Sequence, residues 1–249
     1  MKRILALLAL LLFASYSYAS LIISPERQEI LIGRDVVFQG EYSVTNGYDD
    51  SLDVEISFQN WSTYSGNGDL DVKDWLKIPL SKIRLAKGET KKVPYEIHTD
   101  NFMKGSVSAQ VSFSVRPPQS TGINVKMTFP LYLVIEGTQK TEFSAEKIII
   151  SQFQQGNIFA DIVVRNDGNV HVRPSGTLNL YSGKKLIYTV EIPESFPVYA
   201  GTLRGEMRAS IPNDLKKGKY TAEVIVRALG MEVSKKTVFR IRKDGSLVS

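Results

Sequence analysis

Histidine is the side chain best placed for acid–base or metal chemistry near neutral pH, and the chain has only two, His98 and His171. They fall in different halves, and neither belongs to a His-Glu-x-x-His or lies near a Gly-x-Ser-x-Gly motif. Both read as ordinary surface or turn histidines. The run Gly66-Asn67-Gly68-Asp69-Leu70-Asp71, with Asp74 beyond it, sets oxygen atoms at alternate positions as calcium loops do. It lacks the glycine and the late bidentate glutamate of an EF-hand, so a polar hairpin loop is the preferred reading. Asn60-Trp61-Ser62 is a formal glycosylation acceptor, relevant only in a host that glycosylates exported proteins. Cysteine is absent, which excludes disulfides, thiolate metal sites, a cysteine nucleophile and a lipid anchor on cysteine. No catalytic residue, metal site or cofactor follows from these residues, and the chain is expected not to be an enzyme.

Aromatic and basic residues are the remaining candidates for recognition. Trp61, Tyr64 and Trp75 bracket the Gly-rich loop, and Tyr181, Tyr188, Phe196 and Tyr199 lie in the second half. Exposed, they would stack on sugars, but strand-borne aromatics in a sandwich belong to the core, which is the expectation here. Lysine pairs occur at 91–92, 184–185, 216–217 and 235–236, each beside a turn or strand end. Dispersed charge of this kind reads as solvated turns, and nucleic acid is not expected as a partner.

The elements that carry these residues are strands. Met1-Lys2-Arg3, an apolar run from Ile4 to Phe13 and small residues at Ser17 and Ala19 have the layout of a cleaved signal peptide, 1–19, leaving a chain that starts at Ser20. Loss of Lys2 and Arg3 lowers the formal net charge from +5 to +3. Nothing later is apolar for long enough to span a membrane, so a soluble, periplasmic or secreted product is expected. Residues 52–58 alternate apolar and polar side chains, and Val107, Ala109, Val111, Phe113 and Val115 share one face. After the turn-forming run 116–122, Ile123, Val125, Met127 and Phe129 share a face while Asn124, Lys126 and Thr128 share the other, giving the clearest hairpin in the chain. Pro94 marks its own strand as an edge candidate. After the polar stretch 137–140 the rhythm restarts with about seven more short strands. The fold class is therefore all-β, two tandem immunoglobulin-like β-sandwich domains over 20–136 and 141–243, with 137–140 as linker and 244–249 as a tail. Val-Thr-Asn-Gly at 44–47 and Val-Arg-Asn-Asp-Gly at 164–168 occupy similar places in the two halves, as do Lys87-Gly88 and Lys217-Gly218.

Ser24-Pro25-Glu26-Arg27, the run Leu85-Ala86-Lys87-Gly88-Glu89-Thr90-Lys91-Lys92-Val93 and the hairpin 107–133 together resemble the first domain of the PapD-like periplasmic pilus-assembly chaperones, over about residues 21–136. The resemblance implies that Ile123, Val125, Met127 and Phe129 are donated to a partner subunit that lacks a strand, and that Arg27 holds the subunit's C-terminal carboxylate. A lysine accompanies the arginine in that family. Here the corresponding stretch reads Thr128-Phe129-Pro130-Leu131, Lys126 lies on the other side of the alternation, and the lysine is missing. The second half resembles, more loosely, the tail domains of exported bacterial surface and adhesion-related proteins. The expected function is non-enzymatic binding of pilin-like or surface-fibre protein subunits by β-strand augmentation. The alternative is a cell-envelope module holding peptidoglycan, polysaccharide or a neighbouring envelope protein, with cell-wall contact.

Overall fold

The computed structural model describes residues 20–61, 70–117, 122–153 and 156–248. The expected signal peptide, Tyr64 and most of the Gly-rich loop lie outside the described residues. Among those described, no helix is long and apolar enough to cross a membrane.

Two sandwiches account for the chain. In the first, β1 (Leu21–Ser24), β3 (Val37–Asn46), β7 (Thr90–His98) and β5 (Leu76–Lys77) form one sheet in the order β1-β3-β7-β5. Facing it, β2 (Gln28–Ile32), β9 (Val125–Ile135), β8 (Ser106–Val115), β4 (Leu52–Asn60) and β6 (Lys82–Leu85) are ordered β2-β9-β8-β4-β6. The second sandwich packs β10 (Phe143–Gln152), β11 (Ile158–Asn166) and β14 (Thr202–Ile211) against β12 (Ser175–Ser182), β13 (Lys185–Ile192), β15 (Gly218–Ala228), β16 (Met231–Ile241) and the short β17 (Leu247–Val248), ordered β13-β12-β15-β16-β17. Alternating burial, as in β4 where Leu52, Val54 and Ile56 face in, fills two separate apolar cores. The only helix among the described residues is one turn, α1 (Val72–Trp75), capped by Asp71, whose carboxylate accepts the Lys73 amide at 3.0 Å. Asp71 is thus a capping residue, and Trp75 on the same turn is 1% exposed and part of the core.

The strand bearing Pro94 lies inside its sheet, between β3 and β5. Its proline is tolerated because β5 reaches only Glu96 and Ile97 of β7, so one side of the strand is open at Pro94.

The matching Asn motifs serve one structural purpose twice. Asn46, fully buried at the end of β3, donates its amide to the carbonyls of Asp50, Leu85 and Ala86, and its oxygen accepts the Tyr48 amide. Asn166, fully buried at the end of β11, donates to Val170 and Val198 and accepts from Gly168. In each sandwich one asparagine binds a strand end to neighbouring loops, bonding carbonyls of which Ala86 and Val198 also accept a backbone amide, from Glu89 and Val172. Asn46→Ala or Asn166→Ala removes the amide from these buried carbonyls and from the Tyr48 or Gly168 N–H, and either is expected to cost about 1–3 kcal/mol. The loss should appear as a lower denaturant midpoint for the altered sandwich alone, followed through Trp75 fluorescence for the first, with the other transition unchanged.

Candidate functional site

The first strand segment is divided between two sheets. β1 pairs antiparallel with residues 43–46 of β3, the chain crosses the sandwich over 25–27, and β2 then runs parallel to residues 131–135 of β9. Gln28 opens β2, and its side-chain oxygen accepts the Tyr95 hydroxyl across the sandwich. Gly40 opposite Tyr95 permits this, since a Cβ there would lie 2.2 Å from the phenol ring. β2 pairs with nothing on β9 before Leu131.

The consequence is an open sheet edge. Residues 125–130 of β9 are paired with β8 on one side, from Val115↔Val125 onward, and with no described strand on the other. The expected alternation is present and graded. Ile123 is 61% exposed, Val125 and Met127 are half-buried against the core, and Phe129 is 8% exposed, ringed by Phe113 at 6.0 Å. Lys126 and Thr128 face solvent. Pro130 ends the open stretch, having no N–H to offer.

Arg27 sits where β2 begins, beside a cleft between the sandwiches. Its guanidinium is 2.9 Å from Glu194 of the second sandwich and 3.5 Å from Glu29 Oε1. The hydrogen bond that Arg27 donates to Glu194 is the main influence holding Arg27 above its usual pKa. Arg173, from the second sandwich, reaches the same Glu29 oxygen at 2.7 Å and lies over the Tyr132 ring at 4.9 Å. Two guanidinium groups therefore converge on one carboxylate oxygen. The cleft, about 370 Å³, is lined by Arg27, Arg173, Arg208, Glu194 and the apolar Ile192 and Met207 among others. Arg173, Glu29 and Glu194 carry no signal in the linear sequence, because the cleft is assembled from segments far apart in the chain.

The interface behind the cleft is closely packed. Tyr132 points away from the core of its own sandwich yet is 1% exposed, because His171 stacks on it at 4.5 Å and its hydroxyl is 3.3 Å from that of Tyr199. Asn169 ties the seam: its carbonyl accepts the Ser106 amide, and its side chain bonds Thr138 and Lys140. Gly105, at φ +67°, is required here because a Cβ would lie 2.2 Å from the Asn169 carbonyl oxygen. His171 is therefore not the surface or turn residue expected. It is buried at the interface, and desolvation lowers its pKa to about 4. His98 is half-exposed beside Glu96 at 3.2 Å. Of the second-half aromatics expected in the core, Phe196 is 67% exposed, Tyr188 is half-buried against the core with its hydroxyl on Asp214, and Tyr181 is half-buried with its hydroxyl on Glu223.

No protein-family model and no curated protein matches the sequence. Solved structures do match. The class 5 fimbriae chaperone CfaA aligns over 88% of this chain and 98% of its own with 13% identity and a TM-score of 0.50. The YadV chaperone aligns over 88% and 98% with 12% identity and a TM-score of 0.46. The CsuC–CsuE chaperone–tip adhesion subunit pre-assembly complex of Acinetobacter baumannii aligns over 86% and 98% with 13% identity and a TM-score of 0.46. The chain thus has the two-sandwich fold of a PapD-like chaperone.

The buried histidine makes the interface acid-sensitive. His171 binds its proton at about pH 4 in the folded chain and near 6.5 when unfolded, so the unfolded state takes up more protons between those values. The associated stability is complete above pH 6.5 and falls as pH drops towards 4, by about 3 kcal/mol in all. Chemical denaturation at stepped pH should show this slope, and His171→Gln should flatten it.

Proposed function

We propose that the chain binds other polypeptides, in the periplasm, by adding a partner strand to the open edge of β9 over residues 125–129. The observation that carries this reading is that β2 begins only opposite Leu131, leaving the backbone groups of β9 before it unpaired next to a graded set of apolar side chains. An edge of this kind invites pairing, and Lys126 and Pro130 are residues that keep such an edge from pairing with its own copies. A partner strand would take its affinity from the backbone and its register from Ile123, Val125, Met127 and Phe129.

Arg27 would receive a carboxylate of the partner, with Arg173 in place of the lysine absent from the first sandwich. Both cations already hold carboxylates, Glu194 and Glu29, in partly exposed pairs. Partly exposed pairs are weak, so replacing Glu194 by the partner's carboxylate exchanges one ion pair for a similar one at small cost. The partner class that fits is a pilin-like or surface-fibre subunit with a missing strand. The role is that of a non-enzymatic assembly chaperone, made as a precursor with residues 1–19 removed and built as domains 20–136 and 141–243 around a linker at 137–140.

The tagged chain, purified from the periplasm of its host, should bring down a subunit identifiable by mass spectrometry, with amides of residues 125–129 protected from exchange in the complex. Arg27→Ala should weaken that complex a few-fold, as expected for loss of a partly exposed ion pair worth up to about 1 kcal/mol. Met127→Glu should abolish it while unfolding remains cooperative. Retention of the subunit by both variants, or recovery of wall fragments and no protein, would sink the proposal.

A further inference from the structure

The four lysine pairs meet different fates. Lys92 lies 2.7 Å from Glu41, Lys91 lies 3.4 Å from Glu89, and Lys236 lies 3.0 Å from Glu223. The pairs at 184–185 and 216–217 have no carboxylate within 4.0 Å among the described residues, and strand register brings them together. Lys184 and Lys185 occupy the β12–β13 turn, where Ser182 pairs with both Lys185 and Tyr220. Lys216, Lys217 and Lys219 lead into that same stretch of β15. Lys219 pairs in turn with Arg240 at the end of β16, which continues into Arg242 and Lys243. All of these side chains are exposed.

They share the end of the second sandwich remote from the cleft. Asn166, Asn169 and Thr202 mark the end next to the first sandwich, whereas Gln152, Ser182, Gly218 and Ile241 mark the opposite one. Lys217, Arg240, Arg242 and Lys243 ring a shallow depression of about 480 Å³, in which the one lining carboxylate, Asp244, is occupied by the amide and hydroxyl of Ser246. The eight cations of this end exceed the formal net charge of the whole chain, +5, so the rest of the chain is net acidic. Exposed apolar groups lie among the cations. Leu186, next to Lys185, is 48% exposed, and Val248, opposite Arg240, is 39% exposed. Phe153, 54% exposed, follows Gln152, whose amide bonds Gly245.

We infer that this end of the second sandwich docks on an anionic phospholipid surface. Lysine-rich charge without fixed partners suits diffuse attraction to headgroups, and Leu186, Phe153 and Val248 are placed to enter the headgroup layer. A purely polyanionic ligand would have no use for the apolar groups. The inference uses no residue of the β9 edge or the cleft lining, only Phe153 approaching that lining, through Arg208 at 5.9 Å, and it does not depend on the proposed function.

The test is flotation of the chain, purified after export, with vesicles of phosphatidylcholine alone or with one part in three of phosphatidylglycerol. Binding is expected only to the phosphatidylglycerol vesicles and is expected to weaken as salt is raised. Lys216→Gln and Lys217→Gln should each lower the partition coefficient about fivefold, the equivalent of about 1 kcal/mol per lysine. Lys91→Gln should leave it unchanged, and Leu186→Ser with Phe153→Ser should lower it at constant charge. Circular dichroism and the unfolding midpoint verify that each variant is folded. Equal binding to both vesicle types, no binding to either, or binding indifferent to the lysine or the apolar substitutions would overturn the inference, the last by identifying a simple polyanion site.

Discussion

An antiparallel sandwich normally ends in strands whose outer backbone groups are hidden by a neighbour or a loop. Here the first strand segment covers part of each sheet: β1 completes one end of β3, and β2 completes the far half of β9. Neither sheet is finished by it. The unpaired half of β9, the entry of Arg27 into the interdomain cleft and the reach of Gln28 to Tyr95 all follow from that division. Extending β2 by a few residues towards its start would close the edge and withdraw Arg27 from the cleft.

A partly open sandwich has to be held rigid by other means. Aromatic rings do this inside, with Tyr42 5.5 Å from both Tyr95 and Phe113. The second sandwich does it outside, burying Tyr132 on the solvent side of the same strand that carries the open edge. β9 is thus exposed along one half and clamped along the other. This arrangement lets a strand present its backbone without unravelling, because the cost of the open half is offset by the packing of the covered half. The Gly105–Asn169 contact and the buried His171 make the second sandwich part of the architecture of the edge, although none of its residues lies in that edge.

The cleft shows how far local motifs carry. Its Arg27 lies in a motif legible as a short run near the start of the chain. Its second cation does not, because Arg173 is brought to Glu29 by the docking of one sandwich on the other, a rigid-body relation with no periodic signature. The same applies to His171, which in sequence is one more polar residue after a turn and in space is sealed against Tyr132. The lysine pairs behave similarly: turn position predicts exposure, while neighbourhood depends on which strands pair.

Period-two alternation and turn residues at regular spacing were enough to specify an all-β chain of two sandwiches, the hairpin of β8 and β9 and the apolar face from Ile123 to Phe129, of which Ile123 is exposed. These properties are local, since each depends on residues close in sequence and on the geometry of a single strand. The paired asparagines were visible as a repeated pattern, but their role as buried brackets needed the loops they bind. Where β2 begins, which face of Tyr132 is covered, what meets Arg27 and which lysines gather at one end were decided only by the tertiary structure. Each is a question of how one sheet is placed against another, and a strand's own alternation is the same whichever neighbour it acquires.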